Sequence, residues 1–142
     1  MAEVLVDLVG DFGARAWLSY QCRDGTSTAA GEPFEDAVAV VADTTAGGIV
    51  AVGGNCTAPR FVPELLATAR ERTDQPLIAY PNGGDRWDAV ARRWRADDGA
   101  GTYRPAQVAS WTTLGAGWLG GCCGTGPDDI AELARSVRGA VA

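Results

Sequence analysis

The sequence contains no histidine. That excludes histidine general bases, Ser–His and Cys–His nucleophile pairs, and imidazole metal ligands, so any metal must be held by sulfur and oxygen. Basic residues are few, 12 against 18 acidic ones, giving a net charge of −6 and a pI of about 4.5. No cationic stripe is available to neutralise phosphates, and no nucleic-acid partner is expected. No apolar run approaches the roughly 18 residues that a bilayer span needs, and no membrane partner is expected. Met1-Ala-Glu-Val lacks the basic start of a secretory leader, so a cytoplasmic location is expected. Cys-x-x-Cys does not occur, which sets a thiol-redox role aside. A dinucleotide fingerprint is missing too: Gly117-Trp-Leu-Gly-Gly has the wrong spacing, and no phosphate-loop lysine follows any glycine run.

What is present is clustered sulfur in a chain of one-domain length, 142 residues. Cys122 and Cys123 are adjacent within Trp118-Leu-Gly-Gly-Cys-Cys-Gly-Thr-Gly-Pro127, and Asn55-Cys56 lies far upstream. Each cysteine element follows a short apolar run. In a reducing compartment, clustered thiols bind metal or do chemistry more often than they form disulfides.

The chain alternates helix-like and strand-like segments. Val4, Leu5, Leu8, Val9 and Phe12 recur at helical spacing over Ala2 to Phe12, with Gly13 as a stop. Ala14 to Cys22 reads as a strand. Pro33 opens a helix whose buried face is Phe34, Ala37, Val38 and Val41. Ile49 to Gly53 is a short strand running into Gly54-Asn55-Cys56. Pro63 starts a helix carrying Leu65, Leu66 and Ala69, and Pro76 to Tyr80 is the next strand. Asp85 to Trp94 reads as a short helix or an ordered loop, since Trp87, Val90, Ala91 and Trp94 fit helical spacing. Asp97 to Thr102 is Gly- and Asp-rich loop. Val108 to Ala116 is expected as a helix and Trp118 to Gly121 as the last strand. Pro127 opens the final helix, with Asp128 and Asp129 at the positive end of its dipole and Ile130, Leu133, Ala134 and Val137 as its apolar stripe.

Four strand–helix units preceded by one helix predict an α/β fold with parallel strands buried on both faces. A small doubly wound sheet and half of a (β/α)8 barrel compete. Cys22, Asn55-Cys56, Tyr80-Pro81-Asn82 and Cys122-Cys123 all fall at C-terminal strand ends, the face on which barrels build their sites. That favours the barrel over a fold with one switch point.

Three thiolates with no histidine select zinc over magnesium or calcium, and a catalytic zinc takes three protein ligands and keeps a fourth position open. Cys56, Cys122 and Cys123 are the expected trio. In a regular strand Cys122 and Cys123 point to opposite faces, so both reach one ion only where the strand is ending. Gly120, Gly121 and Gly124 are expected to supply the backbone freedom there, and Gly53 and Gly54 before Cys56. The residues alone leave a second reading open, in which the cysteines are small apolar packing groups. Cys22, standing alone, is expected to be one.

Three segments resemble the zinc-dependent homocysteine S-methyltransferases: Gly53-Gly54-Asn55-Cys56-Thr57-Ala58-Pro59, Tyr80-Pro81-Asn82-Gly83-Gly84 and Gly120-Gly121-Cys122-Cys123-Gly124-Thr125, followed by Pro127-Asp128-Asp129-Ile130. The resemblance covers essentially the whole chain. It implies zinc thiolates at Cys56, Cys122 and Cys123, and substrate-binding roles for Asn55, Tyr80 and Asn82. It implies methyl transfer from a sulfonium donor, S-methylmethionine or S-adenosylmethionine, to homocysteine thiolate, giving methionine. Trp87, Asp88 and Trp94 after the Tyr-Pro-Asn stretch resemble members using such donors rather than betaine. Tyr80 and Asn82 have a scaffold reading beside this one, since Pro81 and the glycines make a turn that they would hold.

The resemblance is to the C-terminal half of a TIM-type barrel only, the last four strand–helix units, so residues 1–142 are expected as one half-barrel domain without the N-terminal half. The first strand's acidic turn and the fourth strand's glutamate, which holds the substrate amino group, have no counterpart. Gly83 stands where serine is usual, Asp85 where glutamate is, and Gly126 where a threonine would cap the last helix. The expected partners are a second copy of the chain or a complementary N-terminal half-barrel, because a half barrel leaves open strand edges. The alternative function is a non-catalytic zinc-binding fragment or interaction module.

Overall fold

The computed structural model describes residues 2–42, 47–95 and 105–140; the expected loop at Asp97 to Thr102 lies outside them. Chain order runs α1 (Ala2–Asp11), β1 (Ala16–Gln21), α2 (Phe34–Ala42), β2 (Ile49–Asn55), α3 (Val62–Arg72), β3 (Leu77–Tyr80), β4 (Arg86–Asp88), β5 (Arg93–Arg95), α4 (Pro105–Thr113), β6 (Ala116–Leu119) and α5 (Pro127–Ala140). Four strands form one parallel sheet in the order β1-β2-β3-β6, each beside its predecessor in the chain. No reversal of order, the mark of a doubly wound sheet, occurs among the described strands.

Right-handed crossovers between successive neighbours put every connecting helix on one face of the sheet. The helices accordingly pack as a single layer, α1 on α2, α2 on α3, α3 on α4 and α4 on α5. Phe34, Val38, Val52, Leu77, Val108 and Trp111 are fully buried in the resulting core. Each such burial is worth about 1.5–3 kcal/mol, so the helix layer holds the sheet. Side chains alternate along a strand, which sends Trp17, Ser19 and Tyr80 to the face opposite Leu18, Tyr20 and Ala79. On that opposite face Trp17 and Trp118 are exposed and meet edge to face, ring centroids 6.0 Å apart at 65°.

Several expectations need correction. The periodic stripe of α1 meets the core only through Val9, which is partly buried against it: Val4, Leu5, Leu8 and Phe12 are exposed, and Val6, off the stripe, is the fully buried residue. The segment from Asp85 to Trp94 is neither helix nor plain loop, because β4 and β5 pair as an antiparallel hairpin with Trp87 opposite Trp94. The α4 helix ends at Thr113 rather than Ala116, and Ala116 already belongs to β6, which stops at Leu119. Ile130 in α5 stays exposed while Leu133 is buried. Among the described residues no helix is long and apolar enough to cross a membrane.

Candidate metal centre

The C-terminal ends of β2, β3 and β6 are laced together by backbone hydrogen bonds. Cys56 N–H donates to the Tyr80 carbonyl at 3.1 Å, Cys122 N–H to Pro81 at 2.9 Å, and Gly83 N–H to Cys123 at 2.7 Å. These bonds fix three cysteines from two distant segments around the middle loop. The thiol sulfurs of Cys56, Cys122 and Cys123 all lie within 4.8 Å of one another, and those of the adjacent pair are 4.0 Å apart. All four cysteines are free thiols. A tetrahedral zinc with bonds of about 2.3 Å sets its sulfurs roughly 3.8 Å apart, so the triangle needs only a small contraction to hold one. A three-sulfur set leaves the fourth position open.

Backbone freedom is distributed differently from expectation. Cys56 itself takes the left-handed conformation, φ 46°, and this turns its thiol out of the strand path. Gly53 serves a close approach instead, since a Cβ there would lie 1.8 Å from the Ile78 carbonyl oxygen. Of Gly120, Gly121 and Gly124, only Gly124 adopts positive φ, 76°. It sits against Gly83, where a Cβ would meet the Gly124 oxygen at 2.6 Å.

Burial, then the thiols of Cys122 and Cys123, pushes the Cys56 thiol up to about 12. Ionisation of Cys56 is thus disfavoured unless a cation compensates, and a divalent metal would reverse that balance. Cys22 lies outside the cluster. It is buried, its N–H donates to Thr57 Oγ1 at 2.8 Å, and burial pushes its thiol up to about 12.

The remaining expected site residues divide by environment. Asn82 is 6% exposed; its amide donates to the Cys56 carbonyl at 3.2 Å and its oxygen accepts from Gly84 N–H at 2.8 Å. Tyr80 points to the sheet face that bears Trp17, where its hydroxyl bonds the Ser19 hydroxyl and accepts from Trp17 Nε1 at 3.3 Å. Asn55 is half-buried at the end of β2, its carbonyl accepting from Thr57 Oγ1 at 2.9 Å. Thr57 and Ser19 escaped sequence reasoning. Buried Thr57 ties the end of β1 to the Cys56 loop, and the only signal for it was its place in Asn55-Cys56-Thr57.

A cleft of about 350 Å³ opens beside Cys56, with Arg60, Asn82, Asp85, Trp87 and Trp94 among its walls. Gly126 immediately precedes α5, and its N–H donates to Asp129 Oδ2 in the helix's first turn at 2.7 Å.

The family model for homocysteine S-methyltransferase matches residues 1–137. Homocysteine S-methyltransferase 4 of Zea mays is 39% identical over 141 residues, which is 96% of this chain and 41% of the maize protein. Homocysteine S-methyltransferase YbgG of Bacillus subtilis is 33% identical over 138 residues, 96% of this chain and 43% of that protein. The metallated crystal form of the homocysteine methyltransferase MmuM from Escherichia coli superposes with a TM-score of 0.73 at 33% identity, over 94% of this chain and 40% of that one. The chain spans about two fifths of the length of the curated relatives it matches.

Proposed function

The chain belongs to the homocysteine S-methyltransferase family, and from that premise we propose that it carries the zinc centre of such an enzyme. The reaction is transfer of a methyl group from a sulfonium donor, S-methylmethionine or S-adenosylmethionine, to homocysteine, giving methionine. The observation that carries this reading is the three-thiol cluster at one rim of an open cleft. Cys56, Cys122 and Cys123 would hold the metal. Zinc bound there supplies the Lewis acidity that keeps a homocysteine thiol deprotonated near neutral pH.

The chain's own residues position and enclose. A homocysteine sulfur lone pair forms the new bond to the methyl carbon as the old carbon–sulfonium bond breaks, its electron pair staying on the donor sulfur. No proton moves in that step, which suits a chain without histidine. Asn82 fixes the Cys56 loop, and Asn55 and Tyr80, register partners at the ends of neighbouring strands, would contact substrate.

The same proposal extends to assembly. Within the described residues β1 and β6 are each paired on one side only, and Trp17 and Trp118 stand exposed on one sheet face. We read the sheet as the C-terminal half of a (β/α)8 barrel, completed by a second copy or by a complementary N-terminal half. A reducing, cytoplasmic setting fits thiolates that must stay unoxidised. The exposed indoles and unpaired strand edges also favour a second reading, a zinc-binding fragment without turnover.

One experiment separates these. The purified chain is loaded with zinc, and metal content, solution mass and methionine formation from homocysteine with S-methylmethionine are measured together. One zinc per chain with methionine formed supports the enzyme. Bound zinc without methionine, alone or with the complementary half, selects the second reading. No zinc, with the Cys56, Cys122 and Cys123 thiols all freely titrating, rejects both.

A further inference from the structure

The β4–β5 hairpin supplies the aromatic side of the cleft that Cys56 also lines. Its register sets Trp87 opposite Trp94 and Asp88 opposite Arg93. Strand alternation therefore puts both indoles on one face and sends Asp88 and Arg93 to the other. The indoles meet edge on, centroids 5.3 Å apart at 62°, yet remain 49% and 40% exposed. Part of each π surface thus opens into the cleft.

The hairpin is pinned from behind. Asp88 Oδ1 accepts from Val90 and Ala91 N–H at 3.0 and 2.8 Å, closing the turn, and Asp88 pairs with Arg95 at 2.6 Å. The basic residues of β5 are thereby kept off the aromatic face. Within the cleft, Asp85 contributes negative charge. Arg60 stacks its guanidinium over Phe61 at 4.6 Å, and Arg23 pairs with Asp24 at 3.4 Å.

An aromatic surface with a carboxylate beside it attracts a soft, poorly hydrated cation. Resting on the reading that the chain handles a sulfonium donor, we infer that Trp87 and Trp94 form the wall that holds the donor's sulfonium beside Cys56. The wall is charge-selective. Once its methyl group has left, the donor is a neutral thioether and the attraction lapses, so spent donor is released in favour of fresh donor. Positive charge is already fading in the transition state, so the wall acts on donor binding more than on turnover.

The test uses the full chain loaded with zinc and calorimetric titration with S-methylmethionine and, separately, methionine. S-methylmethionine is expected to bind roughly tenfold more tightly than methionine. That preference collapses in the Trp87→Leu, Trp94→Leu double variant and largely survives in Trp94→Phe, which keeps a π face. A merely structural role for the indoles would not tie the effect to ligand charge. Equal affinities for the two ligands in the unmodified chain, or an undiminished preference in the double leucine variant, overturns the wall. Methyl transfer with unchanged donor KM in that variant also overturns it while leaving the methyltransferase reading intact. Charge-selective binding without methionine formation supports the wall and counts against that reading.

Discussion

Asn82 holds Cys56 in place: the Asn82 side-chain amide donates to the Cys56 carbonyl at 3.2 Å, while the same side chain's oxygen accepts from Gly84 N–H at 2.8 Å. Its backbone N–H donates to the Thr57 carbonyl at 3.1 Å, so one residue bridges two of the three loops that bear the site. Cys56 sits at positive φ, a conformation that a non-glycine residue keeps only when its surroundings impose it.

Asn82→Ala strands the Cys56 carbonyl and the Gly84 N–H in a buried place. A loss of about 1–3 kcal/mol of stability is expected. Metal affinity should fall by roughly 10–100-fold, as when partners behind metal ligands are removed. Competition for zinc against a chromophoric chelator, with a thermal melt alongside, checks both. Unchanged zinc affinity would show that Cys56 is held by other means.

Gly83 has no room for a side chain. Gly83→Ala places its Cβ 2.6 Å from the Gly124 oxygen and threatens the 2.7 Å bond from Gly83 N–H to the Cys123 carbonyl. Overpacking of this kind costs about 1–3 kcal/mol, and here the strain falls on the loop that carries Cys123. Weaker zinc binding and a lower melting temperature are expected together. A variant that keeps full zinc affinity would mean that the β3 and β6 loops separate without disturbing the thiols.

The sheet and the thiol trio were legible because their signals are local and chemical. Short apolar strands between helices specify parallel neighbours, and only clustered thiols suit a soft metal in a chain without histidine. The hairpin was not legible. A seven-residue spacing from Trp87 to Trp94 fits two helical turns and fits a cross-strand pair equally well, and the deciding features are the Asp88 turn and the left-handed Arg92, φ 51°. Helical period identified α1 but not its orientation, since Val6 is the buried residue and only Val9 of the Val4–Phe12 stripe packs against the core. The left-handed turn at Cys56 was equally hidden, because flanking glycines drew the expectation of backbone freedom to themselves.

Alkaline stability provides a test of the buried thiol. Burial pushes Cys22 up to about 12, against about 8.5 in an unfolded chain. A raised folded pKa gives stability that is fully present below the unfolded value and is lost as pH rises toward the folded one. With a chelator present, urea midpoints should hold through pH 7–8 and fall from about pH 8.5 upward, Cys22 contributing roughly 1.4 kcal/mol per pH unit. Cys56, also pushed up to about 12, titrates in the same window. Comparison with Cys22→Ala isolates the Cys22 share, because the variant should show a shallower decline between pH 8.5 and 10. Tyr20, pushed up to about 12 by burial and Glu32, contributes only above about pH 10. Parallel declines in both proteins would mean that Cys22 ionises as easily folded as unfolded.

Serine scanning separates the trio from the fourth thiol. A serine hydroxyl keeps the shape of the side chain but offers no thiolate, so Cys56→Ser, Cys122→Ser and Cys123→Ser each remove one of three soft donors. Two remaining thiols make a poor zinc site, and each variant should leave gel filtration with most of its metal gone. Cys123 is exposed and Cys56 half-buried, so the Cys123 variant should keep its melting temperature more nearly than the Cys56 variant. Cys22→Ser lies outside the cluster and should retain about one zinc per chain while losing some stability, since a hydroxyl replaces a buried thiol. Metal analysis of the four proteins decides the matter. Equal zinc losses across all four would show that the thiols share a structural role and that Cys56, Cys122 and Cys123 are not the ligand set.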